Sequence, residues 1–440
     1  MTPVQTEKAV TRLGLIGLGT VGGGVAEILA HHQDLIQARL GASMQIIRAM
    51  VRDTSRQRGG AAAAVELTTE PAKIVQADDV DIVVELMGGV EGAYTLVRTA
   101  LEHGKPVVTA NKALLAQKGP ELYAIAQAHG VDVYFEAAVA GGIPIIRTMR
   151  EGWLQTVSIR CVAFLTAPQI SFLDSWKRDN PMMLLWQKHN VLVLPRQIPP
   201  LDVNGGDAAD KLAILAQLAF GVEVKPQAFY VRGVESMTAD ILRDADELGY
   251  VVKLLGVARR VITEGTASLD ISVQPMFVPK QHSLASVRGS QNAIAVVSEA
   301  LGQTLYQGPG AGALPTGSAV VSDLIESARS LRLGVSGRVR STDKTKLPLT
   351  DAAHNEASYY LRFNVKDIHG VLATVTRILA EHRVGIDSVR QRSRHEGGGL
   401  VPLLLVTHPA AAGSVEAAMK DLAAQDCVGN EVQMIPIVAS

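Results

Sequence analysis

The chain has 440 residues with a formal net charge of −1, and its 47% of hydrophobic residues is enough for several packed cores. This length suggests two or three domains, and the near-zero charge gives no electrostatic reason to expect nucleic acid or an anionic membrane as a partner. Two cysteines, a polar first segment and no apolar run long enough to cross a bilayer together predict a cytoplasmic protein.

Short apolar runs alternate with helical stretches between residues 13 and 150. The runs that predict buried strands are, in order, LGLIGLG, QIIRAMV, DIVVELM, PVVTA and VDVYFEAAV. Continuous apolar runs separated by helices are typical of a parallel sheet that is covered on both faces. The sequence therefore predicts an α/β fold with a doubly wound domain of the Rossmann type.

The motif GLGTVG follows the first of these strands and begins a helix. Its candidate cofactor-binding residues are Gly17, Leu18, Gly19, Thr20, Val21 and Gly22. The first glycine permits a tight turn, the second lets the backbone approach a pyrophosphate, and the third allows close packing of helix and strand. The free N–H groups of the helix would then bind the phosphates. The alternative is a turn with only a structural role.

Charged residues follow the second strand, where a dinucleotide-binding domain places the adenosine ribose. Arg52 could accept the 2′-phosphate of NADP, and Arg56 and Arg58 lie close behind it. Asp53 beside Arg52 could instead bind the ribose hydroxyls of NAD. We predict NADP as the cofactor and keep NAD as the alternative.

The rest of the chain divides into a helix-rich region, a polar linker and a small α/β domain. The segments 207–221 and 244–260 have roughly helical spacing, so both predict helices. A polar stretch at 341–358 predicts a linker. From about residue 358 onward the pattern predicts a βαββαβ domain, with helices over 371–383 and 414–423.

One segment, residues 166–200, fits none of these patterns. It has no clear period of 2 or 3.6 residues, although it contains two of the three tryptophans of the chain. A long irregular loop is one interpretation, but loops of that length are uncommon inside a compact domain.

Several further motifs identify a family. They are ELMGG at 85–89, VVTANKALLA at 107–116, FEAAVAGGIPIIRTMREG at 135–152, LDVNGGDAADKLAILA at 201–216, LGYVVKLL at 248–255 and GPGAGALPTGSAVVSDL at 308–324. Together with GLGTVGGGV they resemble homoserine dehydrogenase, and the C-terminal segment resembles an ACT domain. The resemblance implies an NAD(P)-dependent enzyme that interconverts L-homoserine and L-aspartate 4-semialdehyde in threonine, methionine and isoleucine biosynthesis.

The resemblance also implies roles for three charged residues. Asp207 and Lys211 are four residues apart, which places them on one face of a helix. In the family pattern Lys211 is the candidate acid/base for the substrate hydroxyl, and Asp207 helps to hold the substrate. Lys112 falls where the family places a second lysine, beside the nicotinamide and the substrate. Without the family blocks, a surface ion pair and a solvated helix start would be the simpler interpretations.

Two further sites follow from the same resemblance. Glu136, Val139 and Gly141 match a turn that can bind a monovalent cation such as sodium, largely through backbone oxygens. Asp367 and Gly370 match the ACT turn, where an effector such as threonine could bind, although a structural or dimerising ACT domain is the alternative. The substrate domain of the family pairs across a two-fold axis, so a homodimer or homotetramer is expected.

The segment before residue 201 departs from the family pattern. Segments close to NGTSNFIL and AEADP are missing, and Arg196 falls where the family has an acidic ligand for the substrate ammonium group. Codons can be chosen so that both missing motifs reappear in one shifted reading frame. We therefore hypothesise a pair of compensating frameshifts over about 164–200; a genuine divergent insert is the alternative.

The predicted architecture has an NAD(P)-binding domain over 1–135 and a substrate-binding and catalytic domain over 136–340. A linker over 341–357 and an ACT domain over 358–440 follow. An active homoserine dehydrogenase lineage is the first functional hypothesis. The alternative is a catalytically impaired homologue that retains cofactor and effector binding because the substrate-binding segment is lost.

Overall fold

The computed structural model describes residues 10–152, 158–164, 203–336, 347–391 and 400–439. Within these residues the chain forms two compact units. The first unit contains the described residues up to 164, with 207–228 and 289–336. The second contains 203–206, 229–288, 347–391 and 400–439. The misread segment hypothesised over 164–200 therefore lies outside the described residues, apart from residue 164 itself. Along the described residues, no helix is both long enough and apolar enough to span a bilayer.

The first unit is built on a parallel sheet of six strands. The strands are β1 Val10–Ile16, β2 Ser43–Met50, β3 Glu66–Thr68, β4 Ile82–Glu85, β5 Val107–Thr109 and β6 Val133–Tyr134. Their spatial order is β3-β2-β1-β4-β5-β6, and every neighbouring pair is parallel. The order reverses between β1 and β4, and ligands of such sheets bind at the carboxyl ends of the strands at this point. The predicted doubly wound α/β domain is confirmed.

Helices and a second, antiparallel set of strands complete the first unit. The helices are α1 Thr20–His31, α2 Gln33–Leu40, α3 Ala72–Val75, α4 Glu91–Glu102, α5 Lys112–Ala128, α6 Ile145–Arg147, α7 Gly206–Phe220 and α9 Ala313–Leu333. The antiparallel strands are β7 Ser158–Phe164, β11 Gln291–Ser298 and β12 Gly302–Pro309. Helices α1 and α9 approach so closely that a Cβ at Gly24 would lie 2.1 Å from the carbonyl oxygen of Ala313. This contact joins the C-terminal part of the unit to the helix after the glycine-rich turn.

The second unit combines a long hairpin with the C-terminal α/β domain. Its elements are β8 Tyr230–Val231, α8 Ala239–Glu247, β9 Tyr250–Thr263, β10 Thr266–Pro279, β13 Glu356–Lys366, α10 Val371–Glu381, β14 Ile386–Gln391, β15 Leu400–Thr407, β16 Ala410–Ala411, α11 Ala412–Ala423 and β17 Val428–Ile437. The strand order β17-β13-β15-β14 with helices α10 and α11 has the βαββαβ connectivity that the sequence predicted. Apolar side chains of these helices and strands form one core. The described part of the predicted linker pairs with β10, because Leu269 exchanges backbone hydrogen bonds with Pro348 and Thr350.

The helix predicted over 244–260 is wrong. Helix α8 ends at Glu247, Gly249 turns the chain with φ of +85°, and β9 begins at Tyr250. The run YVVKLLGVA is rich in apolar and β-branched residues, and a short apolar run cannot be assigned to helix or strand by its periodicity alone. Residues 250–263 form a strand because β9 pairs with β10 over its full length. The pairing with another strand, and not the local spacing of apolar residues, determined the secondary structure here.

Candidate active site

The glycine-rich turn after β1 has the geometry of a phosphate cradle. Gly17 has φ of +102°, which favours glycine, and a Cβ at Gly22 would lie 2.7 Å from the carbonyl oxygen of Gly17. A Cβ at Gly19 would meet no heavy atom within 4 Å beyond the adjoining residues of its own chain segment, so the turn is open on this side. No side chain caps the first turn of α1, and the first N–H groups of a helix have no partner within the helix itself. The turn and the helix N-terminus therefore fit a dinucleotide pyrophosphate.

The loop after β2 presents charged groups at the adjacent strand end. The carboxylate of Asp53 accepts hydrogen bonds from the backbone N–H of Ser55 at 2.8 Å and from its hydroxyl at 2.6 Å. These two bonds, the hydroxyl first, hold the pKa of Asp53 below its ordinary value. Arg58 donates to the carbonyl oxygens of Arg56 and Asp53, while Arg52 is exposed. Asp53 thus already has partners inside its own loop, whereas Arg52 faces solvent.

Lys112 begins α5, directly after β5. Asn111 caps this helix, because its side-chain oxygen accepts a hydrogen bond from the N–H of Leu114 at 3.1 Å. This cap fixes the point where the chain leaves the sheet and enters the helix. Lys112 is 35% exposed, and its ammonium group forms an ion pair with Asp207 at 2.9 Å.

Asp207 and Lys211 lie in the first turns of α7, an alanine- and leucine-rich helix whose apolar residues are largely buried. The side-chain exposure is 15% for Asp207 and 8% for Lys211. Nζ of Lys211 lies 2.8 Å from one carboxylate oxygen of Asp207, and Nζ of Lys112 lies 2.9 Å from the other. The carboxylate therefore bridges two lysines that are 99 positions apart in the chain (211 minus 112).

The two lysines keep this carboxylate charged. Burial alone would raise the pKa of Asp207, but the attraction of Lys211 and then of Lys112 outweighs it and lowers the pKa. A buried carboxylate with two cations and limited access to solvent is suited to holding a polar substrate and to proton exchange at a hydroxyl.

Asp210 is a charged neighbour that the sequence interpretation overlooked. Burial raises its pKa from 3.8 to about 6; the charge of Lys112 opposes this shift and that of Asp207 adds to it. Asp210 is within the block DAADK, and its helical position three residues after Asp207 was a usable signal. The cluster therefore holds two carboxylates and two amines.

The residues suggested for a cation lie together in a turn after β6. Both carboxylate oxygens of Glu136 accept backbone N–H groups, from Ile146 at 2.8 Å and Arg147 at 2.9 Å. Val139 is fully buried, and Gly141 has φ of +57°. Burial and the nearby charge of Glu136 raise the pKa of Asp323 to about 7. Among the described residues, no group of three or more His, Cys, Asp or Glu could hold a metal ion.

Three family models match the chain. The model described as the NAD-binding domain of homoserine dehydrogenase matches residues 17–136, and the homoserine dehydrogenase model matches residues 196–325. The ACT domain model matches residues 359–424. These matches cover the glycine-rich turn, Lys112, Asp207, Lys211 and the C-terminal βαββαβ region up to the end of its second helix.

Full-length relatives agree with these models. A homoserine dehydrogenase of Bacillus subtilis is 36% identical over 90% of this chain and 91% of its own length. One of Pseudomonas aeruginosa is 37% identical over 97% of this chain and 98% of its own. The chain belongs to the homoserine dehydrogenase family. The crystal structure of a homoserine dehydrogenase from Thiobacillus denitrificans has a TM-score of 0.88 at 37% identity and covers 98% of both chains.

Membership of the homoserine dehydrogenase family confirms the predicted function. The activity is the reversible, NAD(P)-dependent interconversion of homoserine and aspartate semialdehyde, an oxidoreductase reaction of amino-acid biosynthesis. The ACT domain indicates that a small-molecule effector binds. No finding favours the impaired homologue that was kept as the alternative.

Proposed function

We propose that Lys211 exchanges a proton with the substrate hydroxyl, while Asp207 and Lys112 hold the substrate and orient Lys211. The observation that carries the proposal is the bridging carboxylate of Asp207, with lysine nitrogens at 2.8 and 2.9 Å. Side-chain burial supports the role of Lys211, because a proton-exchanging group works best where bulk water is excluded.

In the direction of oxidation, the carbon that bears the hydroxyl loses a hydride and its oxygen loses a proton. NAD(P)⁺, when bound, supplies the hydride acceptor. Once its ammonium group has released a proton to solvent, the amine of Lys211 takes the hydroxyl proton, and the ammonium group so formed returns the proton in the reverse reaction. The second amine, on Lys112, adds positive charge beside the oxygen as negative charge develops on it. Asp207 keeps both amines at one place by accepting from each.

We infer that NADP is the preferred cofactor. The carboxylate of Asp53 is already bound to Ser55, which makes it a poor partner for the ribose hydroxyls of NAD. Arg52 is exposed at the end of β2, where the 2′-phosphate of NADP would lie, and Arg56 and Arg58 add positive charge to the same loop. NAD is the alternative, and calorimetric titration of the same protein with NADPH and with NADH separates the two, since equal or tighter binding of NADH would contradict the preference for NADP.

We propose a monovalent cation such as sodium at Glu136, Val139 and Gly141. Two adjacent buried carboxylates, those of Glu136 and Asp323, favour positive charge nearby. The family resemblance places the ligands of this turn largely on backbone oxygens. Replacing sodium with a large organic cation in the buffer is expected to lower the unfolding temperature if the site is filled.

Several finer properties complete the proposal. We propose that threonine binds at the ACT turn near Asp367 and Gly370, where Gly370 has φ of +87° at the start of α10. We propose a homodimer or homotetramer. Two exposed apolar side chains support it: Leu301, which precedes β12, and Leu305, which lies within β12. The low cysteine count supports a cytoplasmic location. The domain boundaries at 135, 340 and 357 remain predictions.

The test is NADP-dependent oxidation of homoserine by protein from a synthetic gene that encodes this sequence. Turnover at ordinary enzyme rates, roughly 1–1000 per second, would support the proposal and show that Arg196 is tolerated. Bound NADPH without turnover, tested by calorimetry on the same sample, would point to the segment over 164–200. The natural gene should then be resequenced. A natural gene without an insertion or deletion at either end of the segment would contradict the frameshift hypothesis.

A further inference from the structure

Glu85 is a buried carboxylate that the proposed proton exchange does not use. It is the last residue of β4, between β1 and β5, and it is fully buried. One oxygen accepts the N–H groups of Met87 at 2.9 Å and Gly88 at 3.3 Å. The other accepts the hydroxyl of Thr109 at 2.6 Å. Burial raises the pKa of Glu85, and these hydrogen bonds oppose that effect. A carboxylate that faces donors on both sides works as an acceptor only.

Through Thr109 the carboxylate reaches the start of α5. The hydroxyl oxygen of Thr109 accepts the N–H of Asn111 at 3.0 Å. The side-chain amide of Asn111 donates to the carbonyl oxygen of Gly89 at 2.6 Å, while its oxygen caps α5. Lys112 is the first residue of that helix. Glu85 therefore ties together the two loops that follow β4 and β5, and one of them carries Lys112.

On its other side, the loop over residues 86–89 lies against the glycine-rich turn. The N–H of Leu86 donates to the carbonyl oxygen of Ile16 at 2.8 Å. A Cβ at Gly17 would lie 2.9 Å from the carbonyl oxygen of Leu86. The loop is thus in contact with the phosphate cradle at one end and with the cap of α5 at the other. The carboxylate of Glu85 accepts hydrogen bonds from the middle of this loop, at Met87 and Gly88.

We propose that Glu85 is a positioning residue that holds the loop over 86–89 between the phosphate cradle and Lys112, and so sets the affinity for the nicotinamide cofactor. This inference rests on the proposed cofactor site. A carboxylate is needed because it accepts on both sides. An amide would direct its NH₂ group either at the N–H groups of Met87 and Gly88, where donor meets donor, or at Thr109, whose hydroxyl proton would then have to turn away from residue 85. The loop would then shift to relieve that conflict.

The test compares two carboxylates at opposite ends of the same strand. Asp81 precedes β4, is also largely buried, and accepts the backbone N–H and the guanidinium of Arg12. We expect Glu85→Gln to weaken NADPH binding roughly 10-fold by isothermal titration calorimetry. Asp81→Asn is expected to lower the unfolding temperature of the cofactor-free protein about as much as Glu85→Gln does. Unlike Glu85→Gln, it should leave the NADPH affinity within about twofold of the wild type.

A second pair of variants guards against a Glu85→Gln protein that does not fold. Thr109→Val removes the hydroxyl without changing the shape, and Thr109→Ser keeps it. We expect Thr109→Val to weaken NADPH binding several-fold and Thr109→Ser to bind nearly as the wild type does.

The outcomes separate this inference from the cofactor site itself. Wild-type protein that binds no NADPH would overturn the cofactor site and this inference together. NADPH binding by Glu85→Gln or by Thr109→Val that equals the wild type would overturn only the role of Glu85. Equal losses of NADPH affinity in Glu85→Gln and Asp81→Asn would also overturn it, because they would show that any loss of stability in this domain weakens cofactor binding.

Discussion

Two carboxylates in this protein each bind two side chains, yet they differ in burial and in the cations beside them. Asp207, in the first unit, bridges the flexible amines of Lys112 and Lys211 and is 15% exposed. Asp244, in the second unit, is fully buried and is held by the guanidinium of Arg362 and by the hydroxyl of Tyr360 at 2.7 Å. Arg362 also reaches Asp240 at 3.1 Å. One cluster is open to a ligand, and the other is closed.

The two clusters differ in the chemistry of their cations, a guanidinium in one and two amines in the other. The fork of an arginine is planar, always charged and suited to bidentate contact, so it serves a fixed link between α8 and β13. A lysine amine can lose its proton and move on a long stem, which proton exchange requires. We infer that a partly accessible carboxylate shared by two lysines marks the reactive cluster, whereas a fully buried carboxylate held by an arginine and a tyrosine marks the structural one. Four changes test this distinction.

The largest expected effect is on catalysis. Lys211→Met keeps the length and apolar stem of the side chain but removes the amine, so kcat/KM for homoserine should fall roughly 100- to 10,000-fold. Steady-state NADPH formation measures it. Lys225→Met, an exposed lysine beyond the end of α7, is the matched control and should leave the rate unchanged. Retention of more than about a tenth of the activity in Lys211→Met would argue against an acid/base role.

The next effect concerns the closed cluster. Arg362→Met leaves Asp244 buried without its cation, and the free energy of unfolding should fall by about 3–5 kcal/mol. Urea denaturation measures this change. Adding Asp244→Asn to the same protein should recover part of the loss, because the stranded charge is then gone. A double variant no more stable than the single one would contradict a charge effect.

A smaller effect depends on pH. Because the pKa of Asp210 rises from 3.8 in the unfolded chain to about 6 in the folded protein, the folded state holds this proton more tightly. The resulting stability is fully present below pH 3.8 and is lost as the pH rises through about 6, by about 1–2 kcal/mol. Asp210→Asn should remove this contribution when unfolding is followed between pH 4 and pH 7, while the fall due to Asp323, whose pKa rises to about 7, should remain. An unchanged pH profile in the variant would assign the titration to another group.

The smallest effect is that of Tyr360→Phe. Asp244 keeps Arg362 in this variant, so only one hydrogen bond is lost and the free energy of unfolding should fall by about 1 kcal/mol. Tyr359→Phe is the control, since the hydroxyl of Tyr359 is 3.5 Å from its acceptor and contributes less. Thermal unfolding of the two variants should place them in that order; the reverse order would weaken the description of the closed cluster.

Sequence patterns were informative wherever the chemistry is local. The glycine-rich turn, the pairing of Asp207 with Lys211 at helical spacing and the βαββαβ order all involve neighbours along the chain. Glu85 was given no role by the sequence interpretation, although it ends an apolar strand directly before Leu-Met-Gly-Gly. An acidic residue at the carboxyl end of a parallel strand was an available signal, but its partners Thr109 and Asn111 belong to another strand and loop.

The sequence by itself therefore determined the α/β class, the family, the cofactor turn and one half of the candidate active site. Only the tertiary structure brought Lys112 to Asp207, made a strand of residues 250–263 and placed Tyr360 and Arg362 on Asp244. The physical reason is the range of the contacts. Turns and helix faces depend on residues a few positions apart, whereas strand pairing and buried charge clusters depend on which distant segments the packed core brings together.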